Sequence, residues 1–223
     1  MKYTFIFSFI FAFFLVSCSG NSGNKDADSA CVISMKGGAE RLMKYYPLDS
    51  TDKDGKPLYH TLPAETLDAH TGKKFYTNAL LSHVTVSDFF FAQCMGICPR
   101  MSHQMSRIHL AFKNNSDLKI VSYTVDPERD SVAALAEYAF GYEADTAQWT
   151  FVTGPKKKLY DLARYGYYLP VEPGNGDSED FIHSDQFVLT DRNGIIRGYY
   201  NGTDSAAVDS LMKDIRILLT EKK

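Results

Sequence analysis

Cysteine is scarce in this chain of 223 residues, which has four cysteines and a single tryptophan. Four cysteines are too few to hold a chain of this length together as a disulfide scaffold. An excess of basic charge is also missing, because the net charge is −3. Nucleic-acid binding needs a basic patch, so we expect no nucleic-acid partner. With 44% hydrophobic residues, the chain can still build the core of one domain of ordinary size.

Long apolar runs are missing after residue 16, and the one strong run lies at the N-terminus. Tyr3–Val16 follows Lys2 and has the length of a signal-peptide core, which is short for a bilayer span. The run ends in Leu15-Val16-Ser17-Cys18, which resembles a bacterial lipobox. We therefore predict a lipoprotein signal peptide over residues 1–17 and lipidation of Cys18. The alternative is an ordinary signal peptide that is cleaved nearby.

This N-terminus predicts where the protein resides. Either kind of signal peptide takes the chain out of the cytoplasm. The lipobox predicts a bacterial cell-envelope protein that is anchored to a membrane by lipid, with its domain on the periplasmic side. Residues 18–45 are small and polar and are expected to form a flexible tether. Cys31 lies in this tether and is predicted to be a free thiol.

Residues 57–221 are predicted to form the folded domain. Its strands and helices alternate, and Asn193-Gly194 is a strong hairpin turn signal near the end. The predicted strands are 84–91, 118–125, 149–153, 186–190 and 195–200. The first predicted helix begins at Pro99, and the later helices begin after Asp130 or Ser131, after Pro155 and after Asp204. A sheet that begins with parallel crossovers and closes with an antiparallel hairpin predicts an α/β protein with a thioredoxin-like fold, in which helices flank a central mixed sheet.

Two cysteines, Cys94 and Cys98, stand where the first of these strands gives way to a helix. Residues i and i+4 of a helical turn share one face, so both sulfurs can meet one ion or each other. The N-terminus of a helix favours the thiolate. Sites in open α/β sheets also lie at the carboxyl ends of the strands. The alternatives are two core cysteines or an inert structural disulfide.

Several cysteine chemistries do not fit this motif. Covalent c-type haem needs a histidine after the second cysteine, and Pro99 stands there. A four-cysteine iron–sulfur cluster would need Cys18 and Cys31, which lie on the predicted anchor and tether. A peroxiredoxin places a hydroxyl three residues before its reactive cysteine, and Met95 stands there.

Four motifs carry a resemblance to a known family. They are Cys94-Met95-Gly96-Ile97-Cys98-Pro99, Val125-Asp126-Pro127-Glu128-Arg129-Asp130, Trp149-Thr150-Phe151-Val152-Thr153-Gly154 and Phe181-Ile182-His183-Ser184. With these motifs in this order over about residues 57–219, the chain resembles the Sco/SenC family, thioredoxin-like copper proteins that help to assemble cytochrome c oxidase. Met95 departs from the proline that is common in the family, and Ala92-Gln93 stands where a threonine is usual.

The resemblance implies a copper site made of Cys94, Cys98 and His183. Two thiolates and one imidazole suit Cu(I) and, with distortion, Cu(II). Three ligands also leave a position open through which the ion can be handed over. Closed zinc sites usually have four ligands, and the sequence offers no obvious fourth one.

The resemblance further implies a metallochaperone rather than a turnover enzyme. It would deliver copper to the binuclear copper centre of a respiratory cytochrome c oxidase. Its partner would be the copper-centre subunit or another copper or thiol protein, and it would reach the membrane through its lipid anchor. The alternative is a thiol–disulfide oxidoreductase that cycles Cys94 and Cys98. His183 discriminates between the two, because disulfide exchange does not need it.

Other residues are weaker candidates. Met95, Met101 and Met105 carry soft thioethers, but the helical spacing of Met101 and Met105 favours the core. His103 and His109 are predicted to face solvent on the helix after the motif. Residues 126–130 are predicted to form a turn and a helix cap beside the site, where they can tune the sulfurs.

Overall fold

A computed structural model of the chain describes residues 51–56, 58–169 and 184–221. The predicted signal peptide and tether, with Cys18 and Cys31, lie outside the described residues, and so does His183. None of the helices among the described residues combines the length and the apolarity that a membrane crossing requires.

Among the described residues, seven strands form one mixed sheet. They are β1 (Thr66–Ala69), β2 (Lys74–Tyr76), β3 (Val84–Phe90), β4 (Leu118–Thr124), β5 (Trp149–Thr153), β6 (Gln186–Thr190) and β7 (Ile196–Asn201). Their order across the sheet is β2-β1-β5-β4-β3-β6-β7. The β3–β4 and β4–β5 pairs are parallel, and the other four pairs are antiparallel. This arrangement confirms the predicted mixed sheet with parallel crossovers and a closing hairpin.

The part of the chain that the structure describes contains four α-helices, which connect or follow these strands. They are α1 (Cys98–Ala111), α2 (Val132–Gly141), α3 (Lys156–Asp161) and α4 (Ser205–Thr220), and the turn Leu162–Gly166 extends α3 with π-helical geometry. Side chains cap two of the helices, because Ser131 Oγ accepts from an N–H of α2 and the Asp204 carboxylate accepts from an N–H of α4. Pro99 lies in the first turn of α1, where a missing N–H costs nothing.

The helices cover both faces of the sheet and bury two apolar layers. On one face, α1, α2 and α4 contribute side chains such as Met105, Leu135 and Leu211. On the other face, α3 and the π-helical turn contribute Leu159 and Leu162. Because β3 is central and covered on both faces, all seven of its residues are buried. One of these residues is a carboxylate, Asp88.

The strand directions decide where a site can form. Since β3 and β4 are parallel, their carboxyl ends lie at the same edge of the sheet. Strand β6 is antiparallel to β3, with Ser87 opposite Val188, so β6 begins at that same edge. The loop after β3, the loop after β4 and the entrance to β6 therefore lie close together. Sites in open α/β sheets form at such an edge.

Candidate functional site

The two cysteines lie where β3 leaves the sheet and α1 begins. The loop turns sharply after β3, because Cys94 N–H donates to the Phe91 carbonyl at 3.2 Å. Cys94 is partly exposed, whereas Cys98 is the first residue of α1 and is only 4% exposed. No disulfide joins them, and the two thiols share a hydrogen bond. The structure thus brings together the two sulfur donors that the sequence singled out.

The environment of Cys94 favours its ionised form. Partial burial opposes ionisation, but hydrogen bonds from the Cys98 side chain and from the backbone N–H groups of Cys98, Gly96 and Ile97 outweigh it. The pKa of Cys94 is therefore lowered from its usual value. These N–H groups belong to the loop and to the first turn of α1, where unpaired backbone donors attract negative charge. Cys94 is the more accessible and the more readily ionised thiol of the pair.

Cys98 behaves in the opposite way. Burial, together with the hydrogen bond that its thiol donates to Cys94, raises the pKa of Cys98 to about 12. A backbone hydrogen bond from Phe91 acts against this increase, and the negative charges of Cys94 and Asp88 add smaller contributions that raise the pKa further. Cys98 therefore keeps its proton at neutral pH, and a metal that binds both sulfurs must displace that proton.

Asp88 is a buried carboxyl group near this pair. It lies opposite Ser122 in the β3–β4 register, and its side chain is 1% exposed. Burial raises the pKa of Asp88 to about 7, although a hydrogen bond from Ser122 favours the carboxylate. Among the described residues, no group hydrogen-bonds to Asp88 Oδ1. Sequence reasoning missed this residue, although an aspartate within an otherwise apolar and β-branched strand was a visible signal.

Asp130 ties the cysteine loop to the end of β4. Its Oδ2 atom accepts from the Ala92 N–H at 3.0 Å and from Thr124 Oγ1 at 2.5 Å. Thr124 Oγ1 in turn accepts from the Asp126 N–H at 2.9 Å. The sequence predicted a turn and a cap in this segment. Ser131 is the helix cap, and Asp130 instead fixes the backbone two residues before Cys94.

A third metal ligand is not found within the described residues. They contain no group of three His, Cys, Asp or Glu side chains placed to hold one ion. The predicted third ligand, His183, lies just outside this part of the chain, as do Cys18 and Cys31. The described chain resumes at the next residue, Ser184, which is buried and whose Oγ accepts from the Gln186 N–H at 3.3 Å.

The histidines of α1 differ from each other. His103 is exposed, as predicted. His109 was predicted to be solvated, and this was wrong, because it is only 3% exposed. Its Nδ1 shares a 2.7 Å hydrogen bond with Gln148 Oε1, and its Nε2 accepts from the Asp145 N–H at 3.4 Å. His109 therefore connects α1 to the loop before β5 and has a structural role.

The methionines near the cysteines also differ. Met101 and Met105 are fully buried in the core under α1, as their spacing predicted. Met95 lies in the cysteine loop, and 99% of its surface is exposed. Beside the loop, an open cavity of about 390 Å³ lies between the start of α1 and the start of α4, with Arg100 and His103 among its lining residues. This side of the molecule is accessible to a partner.

Comparison with known proteins places the chain in a family. The family model described as SCO1/SenC matches residues 60–220. The chain belongs to the SCO1/SenC family. A curated SCO1/SenC relative, the SCO1 protein homolog of Bacillus subtilis (strain 168), is 29% identical over 168 residues, which are 74% of this chain and 86% of that protein.

Solved structures of SCO1/SenC proteins share the fold. A SCO1/SenC family lipoprotein from Bacillus anthracis str. Ames matches with a TM-score of 0.65 and 27% identity over 74% of this chain and 98% of that one. BsSco matches with a TM-score of 0.63 and 28% identity over 74% of this chain and 97% of that one. It is described as having a disulfide switch and as a member of the Sco family of cytochrome c oxidase assembly proteins. Bradyrhizobium japonicum ScoI, solved with copper bound, has the same fold, with a TM-score of 0.59 and 18% identity over 71% of this chain and 99% of that one.

Proposed function

We propose that this SCO1/SenC protein binds one copper ion through Cys94, Cys98 and His183 and delivers it to the binuclear copper centre of a respiratory cytochrome c oxidase. The observation that carries the proposal is the unbridged pair of thiols at the open edge of the sheet, in which Cys94 is accessible and has a lowered pKa. Soft sulfur donors are the ligands that Cu(I) prefers. The copper-bound ScoI and the oxidase-assembly role of the BsSco family support the cargo and its destination.

The strand directions support His183 as the third ligand. His183 directly precedes Ser184, from which the chain enters β6. Because β6 is antiparallel to β3, that entrance lies at the edge where the cysteine loop leaves the sheet. An imidazole supplied from this position would complete a site with two sulfurs and one nitrogen. Three donors leave the ion accessible to the ligands of a receiving protein.

The two sulfurs would take the cargo in sequence. Cys94 is the more accessible thiol and has the lower pKa, so it binds first. Cys98 then gives up its proton to solvent and becomes the second sulfur ligand. Asp130 keeps the loop in place during this exchange, because its carboxylate holds the backbone at Ala92. Delivery reverses these steps as the acceptor's ligands replace the sulfurs and Cys98 regains a proton.

Copper binding is tested by titrating the reduced protein with Cu(I) against a chromophoric chelator. We expect one tight site, and His183→Ala, Cys94→Ser and Cys98→Ser should each weaken it at least about 100-fold. His103→Ala is the matched control, because His103 is an exposed histidine of α1 and should not affect affinity. With free Cu(I) at 1,000 times the dissociation constant, thermal unfolding should also report a stabilisation of about 4 kcal/mol. Tight stoichiometric binding by His183→Ala would contradict the ligand set.

Thiol–disulfide exchange is the second candidate function, and the unequal pKa values of the two thiols favour it. A thiolate at Cys94 can attack a disulfide of a partner, and Cys98 can then resolve the mixed disulfide. His183→Ala should leave this exchange intact. If the protein exchanges disulfides rapidly and its unfolding temperature does not respond to Cu(I), exchange replaces copper delivery as the function.

We also propose that lipid on Cys18 holds the protein at the bacterial envelope membrane, with the domain on the periplasmic side. The lipobox-like sequence and the Bacillus anthracis lipoprotein of the same family support this assignment. Membrane fractionation tests it, since Cys18→Ser should release the protein into the soluble fraction. Cys31→Ser is the matched control and should leave the protein on the membrane.

A further inference from the structure

Met95 is the most exposed large apolar side chain among the described residues, with 99% of its surface in solvent. Burying a methionine side chain is worth about 1.5–3 kcal/mol, so this position gives up stability. The other two methionines near the site, Met101 and Met105, are fully buried, and packing in the core explains their presence. Packing therefore does not explain why the loop carries a thioether at Met95.

The position of Met95 suits metal binding. It directly follows Cys94, and consecutive Cα atoms are only about 3.8 Å apart. The unbranched methionine side chain adapts its shape easily and carries a soft, polarisable sulfur. The neighbouring Gly96 leaves the loop uncrowded, because among the described residues a Cβ placed there would meet Cys94 Sγ alone, at 3.9 Å. A soft ion on the Cys94 sulfur is thus within reach of the Met95 sulfur.

We propose that Met95 is an entry ligand, whose thioether binds Cu(I) together with Cys94 while the ion is still bound to its donor. The inference rests on the proposed copper function. In the entry step a Cu–Sδ bond to Met95 forms and a bond from copper to one donor ligand breaks. The ion remains Cu(I), so no electron moves. No proton moves at Met95 either, because a thioether is neutral.

An entry ligand is needed because the two cysteines are not equally accessible. Cys98 is only 4% exposed, so a copper ion that is still bound to its donor meets Cys94 before it can reach Cys98. Met95 is 99% exposed and can hold the ion as the second sulfur ligand during that interval. When Cys98 releases its proton to solvent and forms its own Cu–S bond, the weaker bond to Met95 breaks. Met95 is therefore a ligand of the transfer step and is absent from the final site.

The variant Met95→Leu tests this role. Leucine has a similar volume but no sulfur, and the side chain is exposed, so the fold should not change. In stopped-flow measurements of Cu(I) uptake from its bicinchoninate complex, we expect Met95→Leu to be about tenfold slower. The transition state of uptake loses one metal–sulfur contact, which raises the barrier. The equilibrium affinity should change less than about threefold. Met212→Leu is the matched control, since Met212 lies on α4, and its uptake rate should equal that of the wild type.

A spectroscopic measurement separates a ligand from a mere surface contact. In protein labelled with ¹³C at the methionine methyl groups, Cys98→Ser should trap the entry state. Its Met95 methyl resonance should then shift when Cu(I) is added, while that of Met212 should not. An unshifted Met95 resonance, or unchanged uptake by Met95→Leu, overturns the inference and leaves the copper site of the proposed function standing. If the wild type binds no Cu(I), the proposed function itself fails and the inference fails with it.

Discussion

Replacing the buried Asp88 is expected to change how stability depends on pH. The pKa of Asp88 is raised from its ordinary 3.8 to about 7, because burial disfavours the charged form. The folded protein therefore binds this proton more tightly than the unfolded chain does. The resulting stabilisation is fully present below about pH 4 and is lost as the pH rises through about 7. Over that window the loss amounts to about 4 kcal/mol.

Asp88→Asn imitates the protonated carboxyl group at every pH. The variant should therefore lose the decrease in stability between pH 4 and pH 8, and at pH 8 it should be more stable than the wild type. The expected gain is about 2–3 kcal/mol rather than 4, because no described group faces Oδ1 and an amide hydrogen there stays unpaired at a cost of about 1–2 kcal/mol. Urea unfolding of both proteins from pH 4 to pH 8 measures the difference. Asp209→Asn is the control, because Asp209 is a half-exposed surface carboxylate paired with Arg107.

The same substitution has a second readout at the site. The charge of Asp88 helps to raise the pKa of Cys98, so Asp88→Asn should lower the pKa of that thiol. Titrating the ultraviolet absorbance of the thiolates follows this change. If the stability profiles of the wild type and Asp88→Asn run parallel from pH 4 to pH 8, Asp88 is not the buried titrating group and the reasoning is refuted.

Two further predictions concern carboxylates that hold neighbouring segments. Asp130→Ala should lower the free energy of unfolding in urea by about 2–4 kcal/mol and weaken Cu(I) binding, because the buried donors at Ala92 and Thr124 lose their acceptor. Asp130→Asn should lower it by less than about 1 kcal/mol, since both donors use one oxygen, which the amide retains. An equal loss of stability in both variants would contradict this account. Glu221→Ala should lower the free energy of unfolding by about 3 kcal/mol, because the Arg197 side chain is 1% exposed and Glu221 pairs with both of its terminal nitrogens; a loss under about 1 kcal/mol would show that the pair is dispensable.

Local signals were enough to predict much of the fold. Trp149–Thr153 is a strand with the predicted ends, because its aromatic and β-branched residues lie between a polar loop and Gly154-Pro155. Asn193-Gly194 forms the predicted hairpin turn, in which Gly194 has a φ of 73° that a larger side chain tolerates poorly. In both segments the information lies within a few residues. The sequence is therefore sufficient there.

Features that depend on distant contacts were missed. The pairing of Thr66–Ala69 with β5 joins segments far apart in the chain, and no local pattern specifies such a partner. Burial of Asp88 requires cover on both faces of β3, which becomes visible only when the helices are in place. His109 is different, because it follows Met105 by four residues. Its place on the inner face of α1 was available from helical spacing alone.

At the site, the sequence identified the cysteine pair but not the difference between its members. The spacing of Cys94 and Cys98 predicted two sulfurs in one place, and the structure has them hydrogen-bonded. Which sulfur is ionised depends on backbone N–H groups around Cys94 and on burial of Cys98. Both follow from three-dimensional packing, and neither has a signature in the residue types.

Under the proposed copper binding by both sulfurs, the proton that Cys98 retains would make the site an exchanger of hydrogen ions for soft cations. Each loading event would then acidify the surrounding solution, and each unloading event would take up a hydrogen ion from it. Occupancy would fall as the medium becomes more acidic, at constant metal concentration. An acidic membrane surface would therefore favour release of the ion.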